Sequence, residues 1–97
     1  MRLYLAGPMR GHEDHNRPAF AFATEVLRAA GHEVFNPHDL DQSMGDRAAM
    51  EIEVSWIARH AEHVALLPGW EKSRGARAEV ALADALSIPW SPWMECL

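Results

Sequence analysis

The residues best suited to chemistry lie in one stretch of the chain, LLPGWEKSRGARAEVALA at 66–83. Gly75, Ala76 and Glu79 are spaced so that in a helix they share one face, on which only Glu79 is charged. If Ser73 caps this helix, Glu79 lies about one turn below the helix mouth, roughly 6 Å by the rise per residue. The pattern predicts a catalytic carboxylate with space for a ligand above it. The alternative is a solvated helix residue paired with a neighbouring arginine.

The elements that must position this stretch follow from the apolar patterning. Short apolar runs predict strands at 2–6, 33–35, 63–67 and 88–90, and helical spacing predicts helices over 17–30, 47–61 and 73–86. The alternation is βαβαβαβ, with connections long enough for right-handed parallel crossovers. We therefore expect one α/β domain over residues 1–97, an open parallel sheet of four or five strands in the order 2-1-3-4 with helices on both faces.

Strand order also predicts where a ligand binds. In an open parallel sheet the site lies at the carboxyl ends of the strands where the order reverses, here between strands 1 and 3. The loops that leave these strands are residues 7–11 (GPMRG) and residues 68–75, which ends at Gly75. Arg10 would supply a fixed cation there, and the helix amides near Ser73 would receive an anion. An anionic ligand with a reactive centre a few ångströms from its charge fits this crevice.

Composition narrows the range of partners. The chain has 97 residues and a formal net charge of −5, which argues against nucleic acid or an anionic membrane as a partner and favours a small molecule. A single cysteine, Cys96, cannot form an internal disulfide, and no apolar run approaches the ~20 residues of a membrane-spanning helix. We expect a soluble cytoplasmic protein.

Several motifs in order resemble one known family. YLAGPMRG at 4–11 is followed by Asn16, by GHEVFNPHD at 31–39 and by the stretch at 66–83. This series resembles the nucleoside 2-deoxyribosyltransferase-like superfamily, near its small phage and bacterial members and the nucleoside 5′-monophosphate N-glycosidases. The resemblance implies a flavodoxin-like sheet in which Glu79 attacks the anomeric carbon of the substrate. The family's glycine loop corresponds to Gly7, Pro8, Met9 and Arg10.

Two positions within the resemblance refine the expected reaction. Ser73 stands where the N-glycosidases carry a phosphate-binding serine and the transferases of free nucleosides carry an acid. The implied function is therefore cleavage or transfer of the N-glycosidic bond of a (deoxy)nucleoside 5′-monophosphate. Val54 stands where the family has an aspartate that handles the leaving base, so the proton donor is open among Glu53, Glu51 and Glu62.

Other functional interpretations stay open. The chain could bind nucleotides without turnover, transfer deoxyribose between free nucleosides, or bind a protein partner through Trp90 and Trp93. Asn16 is a candidate ligand contact and also a helix cap. Asp39 is a candidate contact to the sugar or base or else a turn residue, and Trp70 either stacks on a base or forms a hydrophobic lid.

No cofactor or metal is expected. The pairs His12/His15 and His60/His63 lie in a loop and across a helix end, and neither resembles a closed set of metal ligands. We also expect a homodimer, because the short tail after residue 90 carries Trp93 and Met94 in a small domain.

Overall fold

A computed structural model describes all 97 residues as an α/β sandwich with one central sheet. The chain alternates strands and helices throughout. The elements in chain order are β1 (Arg2–Ala6), α1 (Arg17–Ala29), β2 (Glu33–Phe35), α2 (Asp46–His60), β3 (His63–Leu66), α3 (Arg74–Ala85) and β4 (Trp90–Pro92). None of the three helices is long and apolar enough to cross a membrane.

The four strands form one parallel sheet in the order β2-β1-β3-β4, which confirms the predicted fold class and strand order. β1 lies at the centre, with Leu3 beside Val34 of β2 and Leu5 beside Ala65 of β3. Because β1 and β3 are neighbours and run in the same direction, the loops that leave them emerge side by side at one end of the sheet.

The sheet separates two apolar layers, because side chains of each strand alternate between its faces. On one side α1 covers Leu3, Leu5 and Ala65 with Phe20 and Leu27. On the other side α2 and α3 cover the opposite faces of the same strands through a second cluster of buried residues: Tyr4, Ala6, Ile57, Val64, Leu66, Ala76, Val80 and Ala83. A short apolar strand such as RLYLA is buried on both faces for this reason.

The last strand begins later than the sequence predicts, at residue 90 instead of residue 88. The amide of Ile88 donates to the Ala83 carbonyl at 2.8 Å, and the amide of Ser87 donates to the Asp84 carbonyl at 3.1 Å. These two bonds close the end of α3 with Ser87 in the left-handed conformation, at φ 59°. Residues 87 and 88 therefore belong to the helix terminus, and pairing with β3 starts at Trp90 opposite Val64.

The start of α1 also differs in detail from the expectation. Asn16 occupies the N-cap position, but its side chain makes no cap bond and donates instead to the Pro8 carbonyl at 3.0 Å. Asp14, His15 and Asn16 all have positive φ in the tight turn that precedes the helix. The side-chain amide of Asn16 thus joins this turn to the loop after β1 by a hydrogen bond.

The C-terminal tail packs onto the same chain. Trp93 is half-buried against the α1 layer, and its ring meets that of Phe22 edge-on at 6.0 Å. Met94 remains 65% exposed. Of the two tail residues on which the dimer expectation rested, Met94 is the more exposed.

Candidate active site

A cavity of about 710 Å³ opens at the carboxyl ends of β1 and β3. Its walls come from the loop after β1, the loop after β2, the first two turns of α2 and the start of α3. Among the residues proposed from the sequence, those that line it are Gly7, Pro8, Met9, Arg10, Glu53, Ser73, Gly75 and Glu79.

Glu79 lies at the floor of this cavity and is only 5% exposed. The Tyr4 hydroxyl, which comes from the central strand, donates to Glu79 Oε2 at 2.5 Å. Glu53, which is 9% exposed, projects from α2 into the same cavity, where its carboxyl group lies close enough to that of Glu79 to affect its ionisation. Three elements therefore place a phenol and two carboxyl groups in one buried cluster, which we call the Tyr4–Glu53–Glu79 cluster.

Burial dominates the electrostatics of this cluster. Loss of solvent raises the pKa of Glu79 to about 8, the Tyr4 hydrogen bond opposes this rise, and the neighbouring Glu53 adds to it. Loss of solvent also raises the pKa of Glu53 to about 7. Two carboxyl groups in contact cannot both ionise without repulsion, so near neutral pH the pair shares a proton. The pKa of Tyr4 is raised well above its ordinary value by burial and by both carboxyls, so its hydroxyl stays a donor.

The start of α3 forms the wall above Glu79. Ser73 caps the helix, with its Oγ accepting from the Ala76 amide at 3.2 Å. A serine hydroxyl that accepts one bond can still donate its own hydrogen to a ligand. A side chain built at Gly75 would meet only the Met50 methyl at 3.6 Å and Ser73 Oγ at 4.0 Å, so the helix surface is open here.

Positive side chains surround the same helix start. Lys72 and Arg74 line the cavity on either side of Ser73, and Arg10 lines it from the opposite loop. The Arg10 guanidinium forms an ion pair with Asp46 at the first residue of α2, and both side chains are more than four-fifths exposed. An anion in the cavity would therefore meet helix amides, a hydroxyl and up to three cations.

Close packing fixes the loop after β1 against the end of β3. A Cβ added to Gly7 would lie 2.7 Å from the Leu67 Cβ, nearer than atoms of a real side chain approach. A glycine is therefore required at this position for the two site loops to lie together.

Three proposed ligand contacts lie outside the cavity lining. Asn16 holds the Pro8 carbonyl from behind the first loop. Asp39 is exposed and pairs with Arg28 at 3.5 Å, which matches the alternative of a turn residue. Trp70 packs against the α2–α3 apolar layer and meets the Trp90 ring edge-on at 5.7 Å, so it braces the last strand.

The structure also distinguishes among the three candidate proton donors. Glu51 is exposed on the outer side of α2, away from the cavity. Glu62 accepts from the Arg2 amide at 2.7 Å, at the opposite end of the sheet from the cavity. Only Glu53 reaches Glu79.

Sequence reasoning did not single out Tyr4. A signal was present, because Tyr4 is the one residue with a polar side-chain atom inside an otherwise apolar buried run, and a buried tyrosine hydroxyl needs a partner. The pattern could not identify that partner, which lies 75 residues away. No three His, Cys, Asp or Glu side chains are grouped so that they could hold a metal ion.

Comparison with known proteins identifies the family of the chain without assigning it an activity. No curated protein matches the chain. A family model described as "Domain of unknown function (DUF4406)" matches residues 1–90, which include both site loops and the whole Tyr4–Glu53–Glu79 cluster. The chain therefore belongs to the DUF4406 family.

Proposed function

We propose that this protein cleaves or transfers the N-glycosidic bond of a (deoxy)nucleoside 5′-monophosphate, with Glu79 as the nucleophile. The observation that carries this proposal is a buried glutamate on the cavity floor, held by a tyrosine hydroxyl and close to a second carboxyl group. A carboxylate suits the reaction because it stabilises positive charge at an anomeric carbon and leaves again in the next step. The resemblance to the nucleoside 2-deoxyribosyltransferase-like superfamily supports the same assignment.

The first step needs one ionised and one protonated carboxyl group. A Glu79 oxygen attacks the anomeric carbon and forms a glycosyl ester while the bond from that carbon to the base nitrogen breaks. Glu53 donates its proton to the departing base, and the Tyr4 hydroxyl keeps Glu79 oriented. The single proton that the pair shares near neutral pH supports this division of roles, because one carboxyl group can attack while the other donates its proton.

The second step restores the protein. Water attacks the anomeric carbon, Glu53 accepts a proton from that water, and Glu79 leaves as a carboxylate. If a second base attacks instead of water, its ring N–H proton goes to Glu53 and the reaction is a transfer. The reaction needs one protonated and one ionised carboxyl group, and it stops when both are protonated or both are ionised. We therefore expect a bell-shaped dependence of rate on pH.

A phosphate fits the cationic end of the cavity. The Ser73 hydroxyl and the first amides of α3 lie on the wall above Glu79, with Lys72, Arg74 and Arg10 around them. Charge-assisted hydrogen bonds of this kind are stronger than neutral ones. A 5′-phosphate bound there leaves the sugar over Gly75 and its anomeric carbon facing Glu79.

Base release from a panel of deoxynucleoside 5′-monophosphates tests the mechanism. We expect release by the wild type, a loss of at least about 1000-fold in Glu79→Ala, and a loss of roughly 100-fold or more in Glu53→Gln. Glu71→Ala is the matched control, since Glu71 is an exposed glutamate near Ser73 that does not line the cavity. Unchanged release by Glu79→Ala would eliminate the mechanism.

Ser73→Ala tests the phosphate end. The variant should bind a nucleoside monophosphate about fivefold more weakly, by about 1 kcal/mol, and bind the free nucleoside nearly as well as wild type does. Because Ser73 also caps α3, affinities should be compared at temperatures well below the melting point of each variant. Equal losses for both ligands would place the phosphate elsewhere.

One observation favours a second candidate, which is nucleotide binding without turnover. In the free protein Glu53 and Glu79 share one proton near neutral pH, so Glu79 can act as a nucleophile only when that proton lies on Glu53. If the bound nucleotide does not move that proton onto Glu53, Glu79 stays protonated and cannot attack. The protein would then bind nucleotides without cleaving them. Tight binding by wild type with no release of base from any nucleotide would support this candidate.

A further inference from the structure

The outer side of α2 carries a shallow groove of about 310 Å³ that is separate from the cavity. We call this surface the α2 outer face. It is formed by Glu51, Ile52, Ser55, Trp56, Arg59 and His60. Ile52 is 40% exposed on this face.

A packed aromatic ring borders the groove. The Trp56 ring packs against Phe35 at 5.2 Å and against His60 at 5.8 Å, so its free edge is held in place beside the groove. A fixed aromatic ring beside an exposed aliphatic residue is typical of the centre of a protein interface.

The charges on the α2 outer face are arranged symmetrically about Ser55. Glu51 lies four residues before it and Arg59 four residues after it. Neither side chain takes part in any of the ion pairs within the chain. They cannot pair with each other, because eight residues of helix separate them by about 12 Å. Each therefore presents an unpaired charge to the surroundings.

We infer that the α2 outer face binds a second copy of itself, with two α2 helices packed antiparallel about Ser55. This arrangement brings each Glu51 to the level of the partner's Arg59, so both unpaired charges find an opposite charge. It also brings the partner's Ile52 to the level of residue 58, between Trp56 and Arg59, where the groove lies. The small side chain of Ser55 at the centre lets the helices approach closely.

The match between the Glu51 and Arg59 charges is the reason to infer a second copy of this chain as the partner. A two-fold interface must match itself, and the α2 outer face does so in the placement of its charges about Ser55. This inference is independent of the proposed function, since Glu53 faces the cavity from the other side of α2.

Charge reversal tests the inference by measurement of mass in solution, by sedimentation or light scattering at micromolar concentration. We expect wild type to be a dimer. Glu51→Arg sets arginine against arginine at both contacts, and Arg59→Glu sets glutamate against glutamate, so each variant should dissociate at about tenfold higher concentration or more. An equal mixture of the two variants should form heterodimers, because every contact then joins opposite charges.

Controls separate the α2 outer face from other surfaces. Glu25→Arg makes the same change of charge at an exposed position on α1 and should leave the dimer intact. Met94→Lys should leave it intact as well. A monomeric wild type, a dimer that survives Glu51→Arg, or a dimer lost in Met94→Lys would overturn the inference. Recovery in the mixture also shows that the single variants are folded.

Discussion

Replacement of Glu79 by glutamine should make the protein more stable at alkaline pH. Burial raises the pKa of Glu79 in the folded state to about 8, from an ordinary value of 4.5 that the unfolded chain retains. The folded protein therefore binds more protons than the unfolded chain between these two values, and its free energy of unfolding falls as pH rises through this window. Glutamine has nearly the same shape as the protonated glutamate and does not ionise, so the variant avoids this loss.

The structure sets the size of the effect. A shift from 4.5 to about 8 corresponds to a ceiling on the order of 5 kcal/mol. The cavity admits water, which screens the ionised pair, so we expect a measured gain of about 2 to 3 kcal/mol. In a domain of this size that gain raises the melting temperature by roughly 10 °C or more.

The assay is urea unfolding of wild type and Glu79→Gln at several values between about pH 5 and about pH 9. The two proteins should be similarly stable near the acidic end and should diverge as pH rises. Glu25→Gln, which removes an exposed carboxyl on α1, should follow wild type. Parallel profiles for wild type and Glu79→Gln would refute the argument, because the buried carboxyl would then carry no cost of ionisation.

Two glycines that line the cavity should respond in opposite ways to the same substitution. Gly7→Ala should lower the free energy of unfolding by about 1 to 3 kcal/mol, because its Cβ would lie 2.7 Å from the Leu67 Cβ; unchanged urea unfolding would contradict this packing. Gly75→Ala should raise the free energy of unfolding by about 0.5 to 1 kcal/mol, because alanine favours the helix and its Cβ meets nothing closer than 3.6 Å. The added methyl group should also weaken binding of nucleoside monophosphates in titration calorimetry, and a lower melting temperature would count against the open wall.

Local patterns were sufficient to predict much of this fold. The buried runs at residues 2–6 and 63–67 and the helical spacing between them gave the strand order, which the structure confirms. The relation between Ser73 and Glu79 was also predictable, since both lie in one helix whose rise and cap are set by neighbouring residues. The start of β4 was wrong by two residues because Ser87 adopts a left-handed conformation that serine seldom takes.

The sequence predicted only in part which residues of α2 face the cavity. Glu53 lies three residues after Met50 and four before Ile57, so helical spacing places it on the face of two apolar residues. Both Glu53 and Glu51 were left open from the sequence, although this spacing could have separated them, and the structure places Glu51 on the outer side of the same helix. The spacing could not decide against Glu62, whose contact with the Arg2 amide depends on how β1 and β3 align.

Sequence by itself therefore determined the elements, their order and the helix that carries Glu79, because these depend on residues close together in the chain. Only the tertiary structure decided which groups meet that carboxylate. Tyr4 comes from β1 and Glu53 from α2, and their contacts with Glu79 depend on the packing of a strand and a helix far away in sequence. The raised pKa of the pair has the same origin, since burial is a property of the assembled layers and no single segment of the chain excludes water on its own.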